Sequence, residues 1–206
     1  MTTSTKSEAL FEQFLTEHGV KFERVETQCG IRTPDYYVWA GDRKLVFELK
    51  EITEDNDFDV VKDPKYPHIK SGSRTVGDHV RRRIIDSAKQ VQFGARQELP
   101  SVLLIYNSLD YVFQTFGTER MDFIAAMYGT YTIVLDVPNR RSKDWYNGKG
   151  QMLQEAKNTS FSAVGHLCNR GRLATTTVTL YKNLFAKIAL PERLPPCFDV
   201  PQIEFE

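Results

Sequence analysis

Asp35, Glu48 and Lys50 are the residues whose types and spacing could do chemistry. They lie in residues 33 to 50, Thr-Pro-Asp-Tyr-Tyr-Val-Trp-Ala-Gly-Asp-Arg-Lys-Leu-Val-Phe-Glu-Leu-Lys, where two apolar-rich runs flank a Gly41-Asp42 step. A two-residue step with glycine first closes a tight β-hairpin. With that turn, paired residue numbers sum to 83, which sets Asp35 against Glu48 across the ladder. Directly opposed residues have Cβ atoms about 4.5–5.5 Å apart, and like charges placed there repel. A divalent cation between the carboxylates would offset that repulsion. Side chains alternate along a strand, so Glu48 and Lys50 project from one face. Two carboxylates and an ammonium therefore converge on one patch. An ordinary amphipathic hairpin with solvated charges would also carry these residues. The turn arithmetic and the order of the flanking elements favour the reactive site.

Pro34-Asp35, followed after the short hairpin by Glu48-Leu49-Lys50, resembles the signature of the PD-(D/E)XK nuclease superfamily, the restriction-endonuclease-like enzymes. The resemblance implies that Asp35, Glu48 and the Leu49 carbonyl hold magnesium or manganese, and that Lys50 orients or activates the attacking water. It also implies an αβββαβ core and hydrolysis of nucleic acid phosphodiesters, with DNA ahead of RNA. Hard oxygen ligands suit magnesium better than zinc. The alternative is a catalytically inactive module of the same fold that binds nucleic acid or a protein. A third reading, an enzyme acting on a small phosphate ester, lacks a Gly-rich phosphate cradle in the sequence.

Composition sets bounds on these readings. The 206 residues are 41% hydrophobic and 12% aromatic, enough for one domain spanning 1 to 206 to bury a sizeable core. Lys plus Arg equals Asp plus Glu at 27 each, so any pull on nucleic acid must come from local patches. No apolar run approaches the 18 or so residues of a membrane span, and Met-Thr-Thr-Ser-Thr-Lys lacks the apolar core of a secretory signal. Cys29, Cys168 and Cys197 are odd in number and scattered, which suits a reduced cytoplasm. The histidines and cysteines show no zinc-ligand spacing. The expected partner is nucleic acid without a membrane, with a homodimer left open.

Around the hairpin, residues 5 to 18 predict a helix with an apolar stripe of Leu10, Phe11, Phe14 and Leu15. Thr5-Lys6-Ser7-Glu8 fits a capping box. Glu8 therefore has two readings: a helix cap, or the acid that the resembled superfamily often places near its metal. Glu12 falls further towards solvent. Gly19 stops the helix, Val20 to Glu26 reads as an edge strand, and Gln28-Cys29-Gly30 as a turn. Residues 51 to 75 form a long polar insertion, acidic then basic, with no regular element. Asp78 to Arg96 predicts a helix with Val80, Ile84, Ala88, Val91 and Ala95 on one face and His79, Arg83, Asp86 and Gln90 opposite. Arg81-Arg82-Arg83 opposes the macrodipole near its start, a conflict that an anionic partner would relieve. Lys89-Gln90 is similar to a pair in some branches of the superfamily. Arg82, Arg83 and Gln90 are thus the nucleic-acid candidates.

Further on, Ser101 to Tyr106 and Thr132 to Val137 read as buried strands, with a short helix between them over Glu119 to Tyr128. Asn139 to Lys143 is a second basic patch beside Trp145 and Tyr146. Phe161 to Val164 and Thr175 to Tyr181 predict two more strands joined by a turn at Asn169 to Arg172. Prolines hold 191 to 206 extended. The expected fold class is α/β: a restriction-endonuclease-like core, a central mixed sheet flanked by helices, and additional C-terminal strands.

Overall fold

A computed structural model describes residues 4–26, 30–53, 59–62, 64–65, 70–73, 75–109, 117–169 and 175–203. Helix α1 (Lys6–Glu17) begins at Thr5, whose hydroxyl accepts the Glu8 N–H while the Glu8 carboxylate accepts the Thr5 N–H at 3.2 Å. Glu51 adds a second acid to this positive helix end, accepting the Ser7 N–H at 2.6 Å. The helix buries Phe11, Phe14 and Leu15.

Strands β1 (Phe22–Arg24), β2 (Tyr36–Ala40) and β3 (Arg43–Ile52) form an antiparallel meander. The β2–β3 ladder runs from Tyr36↔Phe47 to Ala40↔Arg43, the register that the Gly41-Asp42 turn dictates. Gly41 sits at φ 60°, a conformation that glycine adopts without a Cβ penalty. After a two-stranded excursion, β4 (Asp59–Lys62) and β5 (Lys70–Ser73), the chain crosses through α2 (Asp78–Arg96) to β6 (Ser101–Asn107), parallel to β3. Helix α3 (Arg120–Tyr128) and a second two-stranded ribbon, β7 (Tyr131–Asp136) and β8 (Arg141–Asn147), come next. The sheet is completed by β9 (Ala163–Cys168), β10 (Thr177–Lys182) and β11 (Phe198–Asp199), giving the order β1-β2-β3-β6-β9-β10-β11. The protein is therefore mixed α/β, with a seven-stranded mixed sheet and three helices among the described residues.

Alternation along β3 divides the core. Leu45, Phe47 and Leu49 enter one cluster with Phe11, Phe14 and Leu15 of α1, as the strand phase predicts. Ile52 enters the other, with Val80, Ile84 and Val91 of α2 and Phe123 of α3. All of β6 is buried, as expected of a strand covered on both faces.

Four expectations need correction. Residues 51 to 75 do contain regular structure, since β4 pairs with β5, although Arg74 lies outside the described residues. Thr132 to Val137 is not a buried strand: among the described residues β7 pairs only with β8, and Ile133, Val134 and Leu135 are exposed. Its apolar run fits a core strand, but the seven-stranded sheet offers it no place. The polar line of α2, His79, Arg83, Asp86 and Gln90, is turned outward only in part: Asp86 is exposed, Arg83 and Gln90 are half-buried, and His79 is buried. His79 and Ser87 are buried, and Gly94 faces the sheet so closely that a Cβ there would stand 2.8 Å from Val46 Cγ2. That approach rotates His79, Ser87 and Gly94 inward. Arg81 is spent on structure, donating to Gly150 O, Val76 O, Ala125 O and Asp78. These acceptors offset its charge at the helix start without an anionic ligand. The expected turns at 28–30 and 169–172 fall largely outside the described residues.

Candidate active site

Asp35 lies one residue beyond the last β2–β3 pair. Its N–H donates to Phe47 O at 3.1 Å, and its carbonyl accepts the Val25 N–H at 2.9 Å. The carboxylate replaces a main-chain acceptor on the β3 side, with Oδ2 taking the Leu49 N–H at 2.7 Å. This hydrogen bond holds the carboxylate against β3. Glu48 shares the β3 face turned towards α2 and is only 2% exposed. Lys50, two residues on, places Nζ 2.6 Å from Glu48 Oε1, while Glu48 Oε2 is buried without a hydrogen-bond partner.

The electrostatics follow from burial. Desolvation first, and then the charge of Asp35, push the Glu48 carboxyl up to about 8. Burial also raises Asp35, against the opposing pull of the Leu49 N–H and the Lys50 ammonium. Lys50 and the raised pKa of Glu48 both lessen the repulsion between the acids. The same face of β3 is covered by α2, and the burial this gives Glu48 is the main cause of its raised pKa.

In front of Asp35 lies a cleft of about 470 Å³, lined also by Glu8, Arg24, Arg32, Tyr36 and Gln90. Glu8 reaches it from α1 while still serving as the helix cap, so the cap reading is fulfilled and Glu8 also adds negative charge near Asp35. Gln90 reaches it from α2, and its Oε1 is buried without a partner. Arg83 and Arg82 do not line this cleft; Arg83 pairs with Asp86 at 3.2 Å, and Arg82 is exposed nearer the helix start.

Sequence reasoning passed over Arg24, Arg32, Tyr36 and Glu12. Arg24 Nε meets Glu12 Oε1 at 2.5 Å and Nη1 meets Glu8 Oε2 at 3.3 Å. The Tyr36 hydroxyl donates to Glu12 at 2.8 Å, and burial raises its pKa. Glu12, expected towards solvent, is therefore the anchor of one cleft wall. The signal available was spacing: Glu8 and Glu12 stand one helical turn apart, so both can meet one arginine on a neighbouring strand.

Among the described residues, no three of His, Cys, Asp and Glu gather as a metal cluster. Two carboxylates and a carbonyl suffice for magnesium, which keeps several of its waters. The buried Glu48 Oε2, which has no hydrogen-bond partner, fits such an ion once Glu48 is ionised. Compared with known proteins, the chain matches no protein-family description, no curated protein and no solved structure.

Proposed function

We propose that this protein is a metal-dependent nuclease hydrolysing nucleic acid phosphodiesters, with DNA as the first substrate to test. The observation that carries the reading is the convergence of Asp35, Glu48 and Lys50 at the end of one hairpin, with Asp35, though not Glu48 or Lys50, lining a cleft that also presents Arg24, Arg32 and Gln90. The succession α1, β1, β2, β3, α2, β6 supports a restriction-endonuclease-like core around it.

Asp35, Glu48 and the Leu49 carbonyl are the groups that would hold magnesium or manganese. Such an ion supplies Lewis acidity, easing deprotonation of water and neutralising charge on phosphate oxygens. The chain's own residues do the rest. The Leu49 N–H fixes the Asp35 carboxylate, leaving Oδ1 for the ligand side. Lys50 holds Glu48 through Oε1 and carries an ammonium that can stabilise the negative charge developing in hydrolysis. Arg32 and Gln90 bring donors to the cleft for phosphate oxygens. Because Glu48 must release its proton to bind a cation, magnesium should bind more tightly as pH rises towards 8.

A second reading, a nuclease-fold module without catalysis, is favoured by one observation: Glu48 is almost wholly buried and already ion-paired. One experiment separates the two. Purified protein is incubated with plasmid, linear duplex, single-stranded DNA and RNA in magnesium, manganese or EDTA, beside Asp35→Asn and Lys50→Ala. The enzyme reading expects metal-dependent cleavage that both variants lose. It also expects a magnesium-induced rise in melting temperature that Lys50→Ala keeps and Asp35→Asn largely loses. No cleavage in any arm, with equal melting shifts in wild type and Asp35→Asn, would sink it.

A further inference from the structure

Eleven large hydrophobic side chains are exposed among the described residues, and seven of them stand on the ribbon, between Tyr131 and Tyr146. Among the described residues, β7 and β8 pair only with each other. Pairing and alternation place Tyr131, Ile133, Leu135 and Trp145 on one face. Their exposures are 56, 51, 65 and 40%. The Tyr131 and Trp145 rings lie 5.8 Å apart and Trp145 pairs with Ile133, while the pairing shifts by one residue on β8 between Val134 and Leu135. At the ribbon's base the same face runs into a hollow of about 450 Å³, lined by Met121, Ile124, Ala125 and Tyr131. This hollow shares no residue with the cleft at Asp35.

We propose that the ribbon face is the contact of a two-fold symmetric dimer of this chain. Tyr131 lines the hollow and Leu135 stands four residues further out, about 13 Å along the strand. A two-fold axis near Ile133 sets Leu135 of one copy against the partner subunit's Tyr131, at the mouth of its hollow. Each copy thus carries a protruding apolar end and the recess that receives it, which is the self-complementarity of an isologous contact.

Area supports this occupant. Aromatic side chains bury about 150–250 Å² each, so half-exposed residues of this size offer on the order of 500 Å² per copy. That reaches the upper part of the roughly 300–600 Å² of a typical monomer's largest apolar patch, and such patches are often functional. With a polar rim it approaches the roughly 800 Å² per partner of a stable interface. Nucleic acid is a poorer occupant. Ile133 and Leu135 have no phosphate to meet, and DNA contacts are polar and strongly basic. On the ribbon, Arg140, Arg141 and Lys143 are diluted by Asp136 and Asp144.

The test is molar mass in solution, by light scattering and sedimentation across a dilution series without nucleic acid. Wild type should run at twice the 23.7 kDa chain mass in the micromolar range and dissociate on dilution. Leu135→Lys should remain a folded monomer by circular dichroism, while Leu184→Lys, at an exposed apolar residue outside the ribbon, should still dimerise. A wild type of single-chain mass at every concentration overturns the proposal, as does a Leu135→Lys protein that dimerises like wild type. The wild-type series is decisive by itself even if a variant fails to fold. Neither outcome bears on cleavage at Asp35.

Discussion

The hairpins β2–β3 and β7–β8 each carry an apolar-rich strand into a short turn, yet only the first is built into the main sheet. β2–β3 has β1 on one edge, β6 on the other, and helices over both faces. β7–β8 leaves Ile133, Val134, Leu135 and Trp145 in solvent. The strand pattern alone does not decide burial; the neighbours available to a strand do. The embedded hairpin can hold charged groups at raised pKa because its surroundings exclude water. The free ribbon has no such capacity, and what it offers is surface.

Replacing Phe47 by Ala tests the embedded side most severely. Its ring is 0% exposed and lies 5.3 Å from the Phe11 ring and 5.9 Å from the Phe198 ring. The cavity should cost about 3–5 kcal/mol in urea unfolding. A cost under about 1 kcal/mol would mean that α1 does not seal this face of β3.

The polar face of the same hairpin should show itself in pH. Glu48 holds its proton to about 8 in the fold, against 4.5 as its ordinary value. The folded state therefore binds more protons than the unfolded chain between those values, and stability falls as pH rises through that window. Asp35, also raised, acts in the same direction. Metal-free protein should melt lower at pH 8 than at pH 5.5. Asp35→Asn removes one cause of the Glu48 shift and should flatten the profile. A melting temperature independent of pH from 5.5 to 8 in both proteins would show that solvent reaches Glu48.

How legible this was in the sequence depended on range. Gly41-Asp42 fixed the β2–β3 register because a turn and two strands are local. Thr5 and Glu8 announced the α1 cap for the same reason. Glu48, Lys50 and the apolar Leu45-Phe47-Leu49 face followed from alternation. What escaped depended on contacts distant in sequence. Burial of Glu48 requires α2 lying over β3, and that approach rests on Gly94 against Val46 and Ser101. The Arg24–Glu12–Tyr36 wall joins a helix to two strands. The free ribbon was misread because Thr132 to Val137 has the apolar character of a core strand, and no local signal says that the sheet is closed to it.

The smallest expected effect is the sharpest check on the contrast. At concentrations where the protein is monomeric, Ile133→Ala should change stability by about 0.5 kcal/mol or less. Ile133 is 51% exposed and faces Trp145 across the ribbon, so truncation forfeits one cross-strand contact and little burial. No cavity forms, because the position is half exposed. Isoleucine's β-branched preference for strands accounts for the remaining few tenths. The measurement is urea unfolding of both proteins under dilute conditions, followed by circular dichroism. A loss of about 2 kcal/mol or more there would belong to a buried residue. It would mean that the chain itself covers the ribbon, removing both the contrast between the hairpins and the apolar face on which the dimer rests.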